Sequence, residues 1–255
     1  MKPLPAILRR LVFAALLCLG VLGLRAESAQ EAHARLYAEA RKAWSAEPTN
    51  SLAVIRFGHA AFDQAEFAKN DSQRSALAEE AIATLRTLLG REPKSGQAHY
   101  WLAMNLGQLA RTKSLGALKL VREMEKEFLA ARDHDKLQDF AGPDRNLGQL
   151  YLQTPGWPTS IGNHKKARIH LEGAAKLVPD FPANQVGLLE IATETRDIKT
   201  AQAQLKALAD GRSKARAKFS TPEWQDDWAD WDQVRDRCAR KIDKFQKTQS
   251  SRSKR

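Results

Sequence analysis

Cysteine is nearly absent from this chain: Cys18 and Cys238 are the only two in 255 residues. Cys18 lies in an N-terminal apolar segment that reads as removable, so one thiol remains and no intramolecular disulfide is expected. Stability must then come from a packed core, which a chain of this length can build. Glycine (14) and proline (10) are sparse and fall mostly between periodic segments, and no run alternates β-branched with polar residues. Strands are thereby excluded and helices remain. Patterns for chemistry are missing too. His33, His59, His99, His134, His164 and His170 form no His-Glu-x2-His, no cysteine pair has zinc spacing, and no Gly-x-Ser-x-Gly elbow or phosphate loop occurs. No catalytic residue, metal or cofactor is expected, and the chain reads as non-enzymatic. Acidic charge is the minority sign: 41 Lys and Arg against 30 Asp and Glu give a formal +11. Such an excess either attracts anionic partners or simply serves solubility. Nucleic acid is not expected as a partner, because no recognition motif is present.

Residues 1–26 read as a signal peptide. Lys2, Arg9 and Arg10 precede an apolar run from Leu11 to Leu24 that is too short for an ordinary membrane span. Cleavage after Ala26, or after Ser28, delivers a periplasmic or secreted protein; retention leaves a membrane anchor. Leu17 is too bulky before Cys18 for lipidation to be expected. Loss of residues 1–26 lowers the formal charge to +7.

The rest is all-α by periodicity. Helices are predicted over 27–46, 51–68 with Asn50 or Ser51 as cap, 73–90, 97–111 and 114–132. The polar stretch Arg132–Asp139 follows. Gly142-Pro143 then opens another helix, with Pro143 suited to a first turn. Leu147, Gly148 and Tyr151 lie on that helix, and Ala167, Leu171 and Ala174 on the next, which Pro179 closes. Ala201 follows Ala167 by 34 residues and Leu205 follows Leu171 by 34. Ala81, Leu85 and Pro93 form an earlier copy; Ala98, Leu102, Ala103 and Leu106 with Leu118, Val121 and Phe128 form a looser one. Small residues let helices approach and leucines fill the seam.

The pattern resembles the tetratricopeptide repeat (TPR) over about residues 51–210, with Asp144 in the slot where that family has tryptophan and a lengthened inter-helix turn from Thr154 to His164. The resemblance implies an antiparallel helix-pair solenoid over 27–210. A C-terminal capping region follows at 211–246, with Trp224, Trp228, Trp231, Cys238, Ile242 and Phe245 on one face, and a disordered basic tail is expected over 247–255.

In that family the inner face of each first helix is the ligand surface. The matching positions are Gln97, Tyr100, Met104 and Gln108; then Arg145, Gln149 and Gln153; then Val186, Glu190 and Thr193. Arg145 with Asn146 offers a cation and an amide to a peptide carboxylate, or else forms part of a solvated face. Trp157, between Pro155-Gly156 and Pro158, is either a binding anchor or a seal folded over the helix pair; the seal is the preferred reading. The segment from Leu147 to Pro182 is also similar to the periplasmic T component of TRAP-type transporters and to the regulator of microtubule dynamics group. The expectation is an exported scaffold that binds a protein or peptide on its concave face. The alternative is a transporter accessory that binds a solute-binding protein or a small hydrophobic ligand.

Overall fold

The computed structural model describes residues 28–113 and 115–253. Residues 1–26, expected from sequence to be a signal peptide and including Cys18, lie outside them. Ten α-helices account for most of the described residues: α1 Ala29–Ala46, α2 Ser51–Glu66, α3 Asp71–Arg91, α4 Gly96–Arg111, α5 Ala117–His134, α6 Gln138–Gln153, α7 His164–Leu177, α8 Pro182–Glu194, α9 Ile198–Lys218 and α10 Gln225–Ser253. A 3-10 turn, Pro222–Trp224, leads into α10. No strand occurs among the described residues.

Polar residues at the helix starts set the boundaries. The Asn50 side chain accepts from the backbone of Leu52 and Ala53, Asn70 from Gln73, Ser95 from Ala98, Asn163 from Lys166 and Asp197 from Thr200. Ser28 and Glu31 form a reciprocal capping box on α1. Each such cap stabilises its helix by about 1 kcal/mol. Consecutive helices pack in pairs, and α2, α4, α6 and α8 also touch one another in order. The first helix of each pair therefore forms an inner layer, and α3, α5, α7 and α9 form an outer one, the architecture of an α-solenoid.

The seams hold the residues that the repeat pattern assigned to them. Ala81, Leu85, Ala167, Leu171, Ala174 and Ala201 are fully buried. Leu171 sits against the backbone of two inner helices: a Cβ on Gly148 would lie 2.4 Å from its Cγ, so only glycine fits there.

Two elements depart from the sequence reading. The helix α10 continues through Ser253, where a disordered tail was expected from 247. It also does more than cap the last repeat. It packs against α8 and α9, and the 3-10 turn before it reaches back to α1, across the concave side of the array. The second departure is Trp157, which is 88% exposed. The Thr154–His164 loop closes on itself through Gly162 N to Pro155 O at 2.9 Å and onto the end of α6 through Asn163 N to Tyr151 O at 2.8 Å. Trp157 is not folded over the helices, and the seal reading is corrected.

Candidate functional site

Closure by the C-terminal segment leaves a cavity of about 500 Å3 on the inner side. Its walls are His33 and Leu36 from α1, His59, Phe62 and Asp63 from α2, Trp101 and Met104 from α4, Asp139, Phe140, Arg145 and Asn146 from α6, Phe181 and Ala183 at the start of α8, and Trp224, Asp227 and Trp231 from the C-terminal segment. This is a pocket of ligand size in which aromatic walls carry a few convergent polar groups.

One wall is built on strained backbone. Asp139, Phe140 and Ala141 adopt φ of 48°, 54° and 64°, three left-handed residues in a row without a glycine. Such a conformation costs about 1–2 kcal/mol per residue. Regular helix resumes at Gly142-Pro143, where the sequence places a helix start; a Cβ on Gly142 would stand 2.5 Å from the Tyr100 hydroxyl oxygen. Hydrogen bonds hold the turn. Arg145 Nη1 donates to the carbonyls of Asp139 (3.0 Å) and Phe140 (3.1 Å), and Nη2 to the Asp139 carboxylate at 2.6 Å. Asn184, fully buried, donates from its amide nitrogen toward the carbonyls of Phe140 (3.0 Å), Val178 (3.0 Å) and Ala174 (3.2 Å). The result is that Phe140 stacks on Phe181 at 4.5 Å, and Asp139 is held against the Tyr100 hydroxyl, which donates to it.

Asp63 lies on another wall between two imidazoles, 3.3 Å from His59 Nε2 and 3.7 Å from His33 Nδ1. Burial pushes its carboxyl up to about 8, and the nearby charges of Asp139, Asp227 and Glu66 add to the effect. Burial in turn holds the His59 imidazole below its ordinary value, with Asp139 opposing and His33 assisting. The His59 ring stacks on Trp101 at 3.8 Å. Asp227 stands at the mouth, open to solvent on one side. Desolvation by the remaining walls, then Asp139 and Asp230, raise its carboxyl to about 6.

The positions expected from sequence are not brought together in one place. Met104, Arg145 and Asn146 line the cavity. Met104, Gln108, Asn146, Gln149 and Gln153 line an adjoining groove of about 270 Å3. Tyr100 is completely buried behind the wall; burial, then Asp139, holds its hydroxyl well above its usual value. Arg145 points inward as expected, but it is committed to Asp139 and the left-handed turn and lies over the Phe181 ring at 5.0 Å, while Asn146 donates to Tyr100 Oη at 2.9 Å. Arg145 thus fits neither alternative read from the sequence, a cation offered to a peptide carboxylate or part of a solvated face; it pins the left-handed turn. At the last repeat Val186 and Thr193 are buried, and Glu190 pairs with Arg237 of α10 at 2.7 Å and accepts from Gln149 at 2.7 Å. That stretch of concave face is occupied by the chain itself. Gln97 is exposed, and Trp157 lies on the outer loop, away from the cavity.

Sequence reasoning missed His33, His59, Asp63, Trp101, Asp139, Phe140, Phe181, Trp224 and Asp227 as site residues. His59 and Asp63 carry a signal that was there to be used, an i, i+4 pair on one face of α2. Asp139 carries none, because its place depends on a left-handed turn inside what reads as a polar linker.

Among the described residues no three His, Cys, Asp or Glu side chains are grouped to hold a metal ion, and no helix is long and apolar enough to cross a membrane. No curated protein matches the chain. A family model described as regulator of microtubule dynamics protein 1-3 matches residues 23–131. This agrees with one of the two narrower resemblances read from the sequence, although the match lies upstream of the Leu147–Pro182 segment that carried it. The matched stretch contributes α1, α2 and α4, and with them the His33, His59, Asp63 and Trp101 walls of the cavity.

Proposed function

We propose that this protein is a non-enzymatic interaction module of the TPR kind, exported from the cytoplasm, which holds a group of its partner in the cavity between its inner helices and its C-terminal helix. The cavity carries this reading: it opens on the concave side beside the groove of Gln108, Gln149 and Gln153, and it gathers aromatic and ionisable side chains from six segments. Tight pockets with aromatic anchors are where interfaces concentrate their energy. The partner is a protein or peptide. The test is a photo-crosslinking residue at Met104 on the cavity wall, compared with one at Ile169, 58% exposed on the outer layer. Crosslinking to one stoichiometric species from position 104 and not from 169 is expected; equal labelling from both positions, or none from 104, refutes the reading.

Export rests on the N-terminal segment. The Ser28–Glu31 capping box supports cleavage after Ala26, since cleavage after Ser28 would remove the cap of α1. Intact mass of the mature protein distinguishes a chain that begins at Glu27 from one that begins at Ala29 and from an uncleaved anchor.

A further inference from the structure

The charge inside the cavity runs against the charge of the chain. The protein has a formal net charge of +11, yet the cavity walls present Asp63, Asp139 and Asp227 against the single guanidinium of Arg145. Arg145 is paired with Asp139 at 2.6 Å, and Tyr100 donates to the same carboxylate, so that acid is satisfied. Asp63 meets two imidazoles and no lysine or arginine, and Asp227 forms no ion pair among the described residues. Between these two acids stand aromatic faces: Trp101 and Phe62 on one side, Phe140, Phe181 and Trp224 on the other.

We propose that the cavity binds an organic ammonium group on an apolar stem, supplied either by a small free amine or by a lysine side chain of the partner protein. The aromatic faces attract a cation through their quadrupoles and cover its methylenes, and Asp63 and Asp227 supply the counter-charge. The inference rests on the reading that this cavity is where the module engages its ligand. A metal ion is disfavoured by the wall geometry, which groups no three ligating side chains. An anion is disfavoured by Asp63 and Asp227, neither of which is paired with a lysine or arginine among the described residues.

The ionisation of the site gives the binding a pH signature. The groups facing Asp63 are His33 of α1, His59 and Glu66 of α2, Asp139 and Arg145 of α6 and Asp227 of α10. With its carboxyl at about 8, Asp63 is largely protonated at neutral pH in the empty cavity. An entering ammonium favours the carboxylate, so binding releases a proton and strengthens as pH rises toward 8.

The test is isothermal titration calorimetry on the full chain with four probes: hexylammonium, its neutral counterpart 1-hexanol, a blocked lysine tripeptide and the same tripeptide with norleucine. At about pH 8 each ammonium probe is expected to bind about tenfold or more tighter than its neutral counterpart, the factor that about 1.4 kcal/mol of charge recognition produces. The preference should shrink toward pH 5.5, proton release should be visible as a dependence on buffer ionisation enthalpy, and both should disappear in Asp63→Asn and Asp227→Asn. Binding of hexylammonium without the lysine peptide assigns the group to a small amine; binding of the lysine peptide assigns it to a partner protein. If the neutral probes bind as tightly as the charged ones, the ammonium inference fails while the cavity stands as a ligand site. If no probe binds but position 104 still crosslinks a partner, the ammonium inference alone is overturned. If both experiments are negative, the functional reading falls with it.

Discussion

Replacing Asp63 with asparagine should stabilise the protein, and by an amount that grows with pH. In the folded chain the carboxyl is raised from 3.8 to about 8, chiefly by burial. In the unfolded chain it titrates near 3.8. Between these values the native state binds more protons than the unfolded state, so stability falls as pH rises through the interval and levels off above it. At about 1.36 kcal/mol per pH unit the whole displacement corresponds to roughly 6 kcal/mol, and to roughly 4 kcal/mol at pH 7. The side chain is 25% exposed, and water reaching it screens the interaction. We therefore expect a gain of about 1–3 kcal/mol at pH 7. For a protein of this size that is a rise in Tm of roughly 2–6 °C. Asparagine keeps the shape and neutrality of the protonated carboxyl, so no cavity or clash accompanies the change. His59 contributes with the opposite sign: its lowered value makes its share of stability present at high pH and lost as pH falls through the titration of histidine. His59 Nε2 lies 3.3 Å from Asp63, so its contribution changes with the substitution, and the difference between pH 7 and 9, above the titration of histidine, carries the test. Thermal unfolding followed by circular dichroism at pH 5, 7 and 9 measures it. Parallel curves, or an Asp63→Asn protein less stable than the wild type at pH 9, would refute the argument.

Other perturbations probe separate parts of the structure. Leu171→Ala removes a fully buried side chain packed on Gly148 and Gly187 and should cost about 2–5 kcal/mol in urea denaturation, with less than 1 kcal/mol counting against the seam. Asn184→Ala leaves the Phe140, Val178 and Ala174 carbonyls short of a donor; a loss of about 1–3 kcal/mol is expected, with faster proteolysis near residues 139–141. Burial pushes the Asp144 carboxyl up, but hydrogen bonds from His170 (2.7 Å) and Arg132 (2.8 Å) outweigh it and hold the group below its ordinary value. Its contribution is therefore present above about pH 4 and lost as pH falls through the folded value, and Asp144→Asn should flatten that part of the acid unfolding curve. Trp157→Ala should change stability by no more than about 0.5 kcal/mol, and the fluorescence of Trp157 in a variant without the other five tryptophans should be fully open to iodide quenching.

The repeat was legible because its determinants are local. Asn50 caps the helix it precedes, Pro143 starts one, and small residues and leucines recur at the offset that brings seams together; each of these acts within a turn or between adjacent helices. What sequence reasoning could not give was anything decided by distant segments meeting. The importance of Asn184 comes from a carbonyl 44 residues away on a left-handed turn. The role of Arg145 was inverted because its position on the inner face is a matter of helical phase, whereas its partner Asp139 reaches it only when three residues take positive φ. Trp224 was read as part of a core stripe, which suits Trp228 and Trp231. Its place on the cavity wall follows from the 3-10 turn crossing to α1.

That crossing decides what kind of recognition is open to this protein. In an open solenoid an extended segment can lie along every inner helix. Here α10 covers the last repeat, fixed by Arg237 on Glu190, Lys241 on Glu194 and the Trp228 indole donating to the Phe219 carbonyl at 2.8 Å. The charge order of α10 agrees with its placement. Asp226 and Asp227 stand in its first turn, where the helix dipole favours acids, and the basic residues lie further along, facing the glutamates of α8. Turning the helix end for end would remove the pairs on Glu190 and Glu194, so charge favours the orientation at that end, while the tryptophan face fixes the end that meets the acids of the cavity. The acidic end is thereby delivered to the mouth of the cavity, opposite Asp63. The inner side then offers the cavity and the adjoining groove of Gln108, Gln149 and Gln153, rather than one continuous face along every repeat, and the proposed recognition is confined to those walls with the outer helices as their frame.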